Sequence, residues 1–452
     1  MAGLSPSERV HIVGIGGAGM SALASLLLES GCEVSGSDLK DSGVLERLRA
    51  LGARVWVGHD PSHVAGAEVV CYSSAIPESN VELRAARAEG LRILSRAELL
   101  VALTDGRRVV AISGTHGKTT TTAMIAFALV RAGLGASYVI GAELNEAGAS
   151  GHFGPSDLMV VEADESDGTF LRLRPEVAVV TNVEADHLDF YGSLEALEEA
   201  FGQFMDKSRL PPVVCLEDPI AARLARGRTV VGYGFGEDAE FQIKNLVLSP
   251  ESSAFELFRA KRRLGSVELA VLGVHNVLNA TAAVATAMSV GAEFAPVAEA
   301  LGRYLGVARR FQRRRVIDEV RIIDDYAHLP AEIRSTLAAA RQLGARRIVA
   351  VFQPHRYSRT RHLAAELGRA LSAADLAVVT DVYPAGEDPI PGVTGELVWR
   401  AAVEVLGDRA IYCPERPRLA PLVRSLLEPE DVCLTLGAGD ITMLESELGA
   451  LR

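Results

Sequence analysis

The segment that most constrains this chain is the run Val109-Val110-Ala111-Ile112, which passes through Ser113-Gly114-Thr115-His116-Gly117-Lys118-Thr119-Thr120 into a helix-forming stretch, Thr121–Val130. A β-branched run, a glycine turn and a helix, in that order, form the repeating unit of parallel α/β sheets. The glycines let the backbone bend so that consecutive N–H groups face an anion, and the helix N-terminus adds partial positive charge. Lys118 can reach β- and γ-phosphates, and the Thr119 hydroxyl can ligate magnesium. The loop from Gly114 to Thr120 therefore predicts binding of a nucleoside triphosphate, read as ATP. Its spacing, Gly-x-x-Gly-Lys-Thr, is shorter than the general phosphate-loop pattern. Taken alone it would serve a kinase or a transport ATPase equally well. The bland alternative is a strand–helix turn of no function, and the placement between strand and helix argues against it.

The same rhythm runs through the chain. Strands are expected at Val10–Val13, Glu33–Ser35, Val55–Val57, Val69–Tyr72, Leu158–Glu162 and Val177–Thr181. Others are expected at Val320–Asp324, Ile348–Phe352, Leu376–Thr380 and Val432–Leu436, and a helix at Val277–Val290. Alternation between residues 232 and 272 predicts an antiparallel patch. The chain of 452 residues suggests about three domains. Breaks near Thr104–Arg107 and Arg309–Arg315 place them at 1–105, 106–312 and 313–452.

A formal charge of −12 argues against non-specific nucleic-acid binding, which needs a positive field. No apolar stretch reaches the ~20 residues of a membrane span. The N-terminus lacks a basic segment followed by an apolar one, so a cytoplasmic protein is expected. The five cysteines (Cys32, Cys71, Cys215, Cys413, Cys433) are scattered, without metal or redox spacing, and read as buried reduced thiols.

Gly14-x-Gly16-x-x-Gly19 also follows a strand and opens a helix, with Asp38 about 20 residues on. That is a nicotinamide-dinucleotide fingerprint, and a dehydrogenase is the competing class. The residues themselves say only that a phosphate-bearing nucleotide fits, with Asp38 accepting from a ribose or a base. The acidic loop Glu162-Ala163-Asp164-Glu165-Ser166-Asp167 offers hard oxygen ligands for magnesium beside the phosphate loop. The next strand leads to Asn182-Val183-Glu184-Ala185-Asp186-His187. Asn276 and Asn279 share a helix face, to bind a base edge or cap the helix. Asp324-Asp325-Tyr326-Ala327-His328 and Phe352-Gln353-Pro354-His355-Arg356 end strands of the third part.

Together these motifs resemble the Mur ligase family over essentially the whole chain. Gly114-Thr-His-Gly-Lys-Thr-Thr-Thr-Thr122, Glu162-Ala-Asp-Glu-Ser-Asp, Glu184-Ala-Asp-His-Leu-Asp, Gly14-Ile-Gly-Gly-Ala-Gly-Met-Ser, Phe352-Gln-Pro-His-Arg and Tyr383-Pro-Ala-Gly-Glu carry the likeness. The resemblance is closest to the branch that joins L-alanine to the carboxylate of UDP-N-acetylmuramate through an acyl phosphate. A branch attaching peptides to the same sugar acid is the nearest alternative.

It implies an α/β fold of three domains. These are a Rossmann-like UDP-sugar domain, a central ATP domain with a parallel sheet and a small antiparallel patch, and a Rossmann-like C-terminal domain. It implies ATP and Mg2+, with Thr119, Glu162 and His187 as metal ligands. Lys118, Glu162, His187 and His328 would serve catalysis, His328 as the base. Asn276, Asn279, Arg310 and Asp325 would join the phosphate loop at ATP. Gly14, Gly16, Gly17, Gly19, Met20, Asp38, Ser73 and Ser74 would bind the UDP moiety, and His355 and Arg356 the substrate side. A monomer or homodimer is expected. His328-Leu329-Pro330 stands where similar enzymes carry His-His-Pro. No lysine is expected to act as the carbamylated lysine of sister ligases, the nearest being Lys207.

Overall fold

The computed structural model describes residues 7–73, 75–145 and 148–450. The chain divides into two compact units: Met1–Leu246 with Ala254–Leu269 and Val277–Leu305, and Val247–Ser253 with Ala270–Asn276 and Gly306–Arg452. The first unit holds two sheets and the second holds one.

The first sheet comprises β1 (Arg9–Val13), β2 (Glu33–Asp38), β3 (Arg54–Val57), β4 (Val69–Tyr72) and β5 (Arg92–Ser95), in the order β3-β2-β1-β4-β5. All its pairings are parallel. The strand order reverses between β1 and β4, and the loop after β1 therefore opens on the crevice where such sheets bind ligands.

The central sheet has ten strands: β6 (Arg108–Ser113), β7 (Ser137–Val139), β8 (Gly151–His152), β9 (Leu158–Glu162), β10 (Val177–Val180), β11 (Val213–Cys215), β12 (Val231–Gly234), β13 (Phe241–Leu248), β14 (Ser253–Arg259) and β15 (Arg262–Leu269). Their order is β15-β14-β13-β12-β11-β10-β6-β9-β7-β8. Strand β6 lies between β10 and β9, parallel to both. The apolar runs of all three are buried, which suits strands covered on both faces. The loops after β6, β9 and β10 consequently leave the sheet at one edge. Two to four residues join β13 to β14 and β14 to β15, too few for a parallel crossover, so the expected antiparallel patch lies there.

The two sheets of the first unit share one apolar cluster, with Ile12 and Leu23 in the same core as Ala111 and Val161. The helix Ala18–Glu29 packs on β8. A Cβ at Gly151 would collide with the Ala22 carbonyl, so glycine there allows the close approach. Glu29 fastens the contact, accepting from the Phe153 N–H at 2.7 Å and pairing with His152 Nδ1 at 2.9 Å.

The second unit carries β16 (Gln312–Ile317), β17 (Val320–Asp325), β18 (Ile348–Phe352), β19 (Leu376–Val379), β20 (Ala410–Tyr412) and β21 (Val432–Leu436), ordered β16-β17-β21-β18-β19-β20. Only β16 runs antiparallel to its neighbour; the other pairings are parallel.

The expected strands are present, and several short ones that periodicity missed join them, among them β5, β7, β11 and β20. Strand β16 occupies much of the stretch read as a break near Arg309–Arg315. The helix after the phosphate loop begins at Lys118, three residues before the expected start, and the later helix spans Val274–Ser289. Both early starts have one cause. Thr and Asn residues of low helix propensity occupy the first turns, where propensity counts least.

Candidate active site

Backbone geometry shapes the phosphate loop first. Gly114 (φ +140°) and Gly117 (φ +79°) adopt conformations that side chains disfavour. A Cβ at Gly114 would strike the Thr181 hydroxyl and lie 2.9 Å from the Asn182 carbonyl. Residues after β10 hold the loop from the other side. Asn182 accepts from the His116 N–H at 2.7 Å and donates to the His116 carbonyl at 2.9 Å. The Thr181 hydroxyl donates to the same carbonyl at 2.7 Å, and the Thr115 hydroxyl accepts from the Glu184 N–H at 2.8 Å.

Lys118 opens the helix with its ammonium folded back over the loop. Nζ donates to the Gly114 carbonyl at 2.7 Å and to Glu165 Oε1 at 2.6 Å. Burial alone would lower its pKa, but Glu165, Asp164 and Glu162 together hold it above the ordinary lysine value. The cation is thus secured in its charged form. Glu165 is nearly inaccessible and also accepts from Ser113 Oγ at 3.2 Å. Thr119 Oγ1 donates to Glu162 Oε1 at 3.1 Å, and Glu162 Oε2 accepts from the Gly141 N–H at 2.8 Å.

Among the described residues no three His, Cys, Asp or Glu side chains form a metal cluster. The oxygen pair Thr119–Glu162 suits a magnesium ion that keeps phosphate and water ligands for most of its shell. His187 lies on the loop seven residues beyond the end of β10. It adopts φ +56°, rare for a non-glycine residue, and its Nε2 is 3.4 Å from Asp186 Oδ2. Asn279 accepts from Thr121 Oγ1 at 3.1 Å, and an added Cβ at Gly117 would lie 3.0 Å from Asn279 Oδ1. In the other unit, Asn276, in the first turn of the helix Val274–Ser289, donates to the Leu272 carbonyl at 2.8 Å and so ties the helix to the segment before it.

In the first sheet, the N–H groups of Gly14 and Ile15 both donate to the Ser37 carbonyl, at 2.8 and 3.0 Å. Asp38 Oδ2 accepts from the Gly16 N–H at 2.9 Å, so this carboxylate closes the glycine loop. Ser73 packs beside Gly14. Gly17 caps the helix Ala18–Glu29 and accepts from the Met20 N–H at 3.0 Å. The Met20 side chain is buried in the core, so only its backbone is open to a ligand role. Ser74 lies outside the described residues.

The second unit gathers a histidine–arginine group. Asp325 is buried, accepting from the Phe311 and Ala327 N–H groups at 2.7 Å each. Burial pushes its pKa up to about 6, against the pull of Arg310. Arg310 lies over the Tyr326 ring and 3.7 Å from Glu332 Oε1. His328 Nδ1 is 3.0 Å from the Tyr326 carbonyl, which leaves Nε2 as the acceptor of a neutral ring. His328 and His355 rings sit 5.8 Å apart, and His355 stacks on Tyr383. Burial lowers His328 to about 4, and burial with His328 and Arg359 lowers His355 to about 3. Both are neutral near pH 7. Arg356 (φ +69°) donates its N–H to the Tyr383 carbonyl at 2.9 Å.

The Mur ligase family catalytic domain matches residues 9–108, the Mur ligase middle domain 112–287, and the Mur ligase glutamate ligase domain 309–439. The chain belongs to the Mur ligase family. Among Mur ligases, the UDP-N-acetylmuramate–L-alanine ligase of Rubrobacter xylanophilus is 47% identical, over 97% of this chain and 99% of that one. The enzyme of that name from Thermobifida fusca is 46% identical, over 96% and 95%. The crystal structure of UDP-N-acetylmuramate-alanine ligase from Thermotoga maritima superposes with a TM-score of 0.84 at 31% identity, covering 98% of both chains. A murein peptide ligase from Psychrobacter arcticus shares the fold, at TM-score 0.71 and 21% identity over 98% of each.

In this Mur ligase, the segment His328-Leu329-Pro330 leads into the helix Pro330–Gln342. Leu329 is a buried helix-capping residue whose N–H donates to Glu332 Oε2 at 3.2 Å. The Lys207 ammonium is spent on the Leu171 carbonyl, away from the phosphate loop. Two site residues escaped sequence reasoning, Glu165 and Asn182. Both stand inside motifs that were visible, but their partners, Lys118 and His116, are 47 and 66 residues away in the chain.

Proposed function

We propose that this chain joins L-alanine to the carboxylate of UDP-N-acetylmuramate at the expense of ATP, in peptidoglycan precursor synthesis. The observation that carries this reading is the buried Lys118–Glu165 pair beside Thr119–Glu162 at the mouth of the phosphate loop. It is a fixed cation and an oxygen ligand pair where a γ-phosphate would lie. The full-length likeness to alanine-adding ligases supports the choice of substrates.

A carboxylate is a poor acyl donor because its leaving group would be oxide. Phosphorylation replaces that leaving group with phosphate, and an amine can then form the amide. Such chemistry needs positioning and charge neutralisation more than a protein nucleophile. Lys118 would bind the β- and γ-phosphates, and the loop N–H groups would orient them. Thr119 and Glu162, joined by His187, would hold Mg2+, which when bound neutralises charge on the transferring phosphoryl group. Asn279 would lie at adenine, with Asn276, Arg310 and Asp325 assigned to ATP by motif. The glycine loop with Asp38 and Ser73 would take the UDP moiety. His328, His355 and Arg356 would serve the amino-acid and sugar-acid side, His328 accepting the amine proton at Nε2. No helix among the described residues is long and apolar enough to cross a membrane, and we place the enzyme in the cytoplasm as a monomer or homodimer.

The test is phosphate release with ATP, magnesium, UDP-N-acetylmuramate and a panel of amino acids and peptides. L-Alanine should give the highest kcat/KM. A preference for a peptide would move the enzyme to the peptide-attaching branch. Tight NADH binding in calorimetry would reopen the dehydrogenase reading of the glycine loop.

A further inference from the structure

A small cleft in the first unit lies between the glycine loop and the acidic end of β9, lined in part by Gly19, Leu23, Gly141, Glu162 and Asp164. Among the described residues lining it, Arg96 is the one cation. Its position is unfavourable on local grounds. Arg96 is the first residue of the helix Arg96–Leu103, where the helix dipole disfavours positive charge. The fold nonetheless makes room for it. A Cβ at Gly19 would lie 2.6 Å from Arg96 Nη1, so the third glycine of Gly14-x-Gly16-x-x-Gly19 clears space for a guanidinium. On the far side Arg96 Nη2 stands 3.7 Å from Asp164 Oδ2, a loose ion pair that leaves donors free to face the cleft.

We propose that the Arg96 guanidinium binds the reacting carboxylate of the UDP-sugar acid and holds it between the glycine loop and the phosphate loop. This rests on the ligase function proposed above. A sugar acid anchored by its diphosphate at the glycine loop must extend its carboxylate toward Glu162, along a wall that otherwise presents carboxylates and apolar groups. That anion needs a cation there, and a planar guanidinium matches a carboxylate's geometry. One carboxylate oxygen then attacks the γ-phosphorus, the bond from phosphorus to the β,γ-bridging oxygen breaks, and ADP leaves with the electron pair. The amine later attacks the acyl carbon, phosphate departs with the oxygen it acquired, and the nitrogen gives up a proton. Arg96 holds the second oxygen, which stays in the amide product.

The test compares two ligands by calorimetry on the full chain. UDP-N-acetylmuramate carries the carboxylate, and UDP-N-acetylglucosamine lacks it. Arg96→Met should weaken the first by about tenfold or more and leave the second within about twofold, with Arg96→Lys intermediate for the first. In turnover, KM for the sugar acid should rise while KM for ATP holds. Equal weakening of both ligands, as a structural or diphosphate-binding role would give, overturns the proposal, and so does no weakening of either. If the wild-type chain forms no alanyl product yet the two ligands still separate on Arg96→Met, the ligase reading fails and the carboxylate site stands.

Discussion

At the residue scale, two positions of the phosphate loop separate chemistry from architecture. Lys118 supplies charge, which three surrounding carboxylates preserve in a buried place. Lys118→Ala should reduce ATP-dependent turnover at least ~1000-fold, the loss expected when a charge acting on the transferring phosphoryl group is removed. UDP-N-acetylmuramate affinity should hold, and ADP release beside calorimetry checks both. Gly114 supplies conformation. Gly114→Ala places a methyl group against Thr181 and the Asn182 backbone at φ +140°. It should cost about 2–4 kcal/mol in urea unfolding, from strain added to overpacking, and ATP affinity should fall with it. A variant as stable as the wild type would mean that the loop relaxes. Lys118 was legible because its motif is local. Glu165, which anchors it, was visible only as one acid among several, since sequence does not say which carboxylate turns inward.

At the scale of elements, the glycine loop of the first sheet depends on a helix that sequence reading passed over. Glu82, in the helix Val81–Ala88, is fully buried. Its carboxylate accepts from Ser37 Oγ at 2.5 Å and lies 2.6 Å from His63 Nδ1 and 3.2 Å from His59 Nδ1. Ser37 in turn accepts the Gly14 and Ile15 N–H groups through its carbonyl. The network thus ties the helix to β2 and β2 to the loop. Burial by itself would raise the Glu82 pKa, but the His11 ring 3.6 Å away and the contacts with Ser37 and His63 outweigh it and hold the group at about 2. The folded-state value lies below the unfolded one. The stabilisation is therefore present above about pH 4.5, the ordinary glutamate value, and is lost as pH falls toward 2. Glu82→Gln should lower stability at pH 7 by on the order of 2–3 kcal/mol. The gap to wild type should close between pH 4.5 and 2 in urea titrations; a gap independent of pH would rule out the charge as its source.

At the scale of the whole molecule, the chain passes between its two units more than once. Residues 247–253 and 270–276 group with the second unit although they precede its sheet by tens of residues. Leu272 is buried in the cluster containing Ile323, Leu337 and Phe352, and the Gly273 N–H donates to Gln342 Oε1 at 2.9 Å. A fragment of residues 313–452 would lack these segments. It should unfold at lower urea than the second unit does in the full chain, with Leu272 alone worth about 2 kcal/mol. Dye binding to exposed apolar surface should rise. A fragment matching the intact protein would show that the early segments contribute nothing. Breaks in periodicity suggested cuts near 105 and 312, but a segment's membership of a core depends on contacts that periodicity does not carry.

What short windows of the chain encode could be read without the fold. These are the buried parallel strands, the glycine turns, the Lys118–Thr119 pair, and a family likeness spread over the chain. Each depends on neighbours within a few residues, where backbone sterics and side-chain periodicity act directly. Tertiary structure alone decided which carboxylate meets Lys118, which asparagine shapes the phosphate loop, and why Gly19 leaves room for Arg96. Those outcomes join residues tens of positions apart, and hydrogen bonds and desolvation act only where the fold has already brought the partners together.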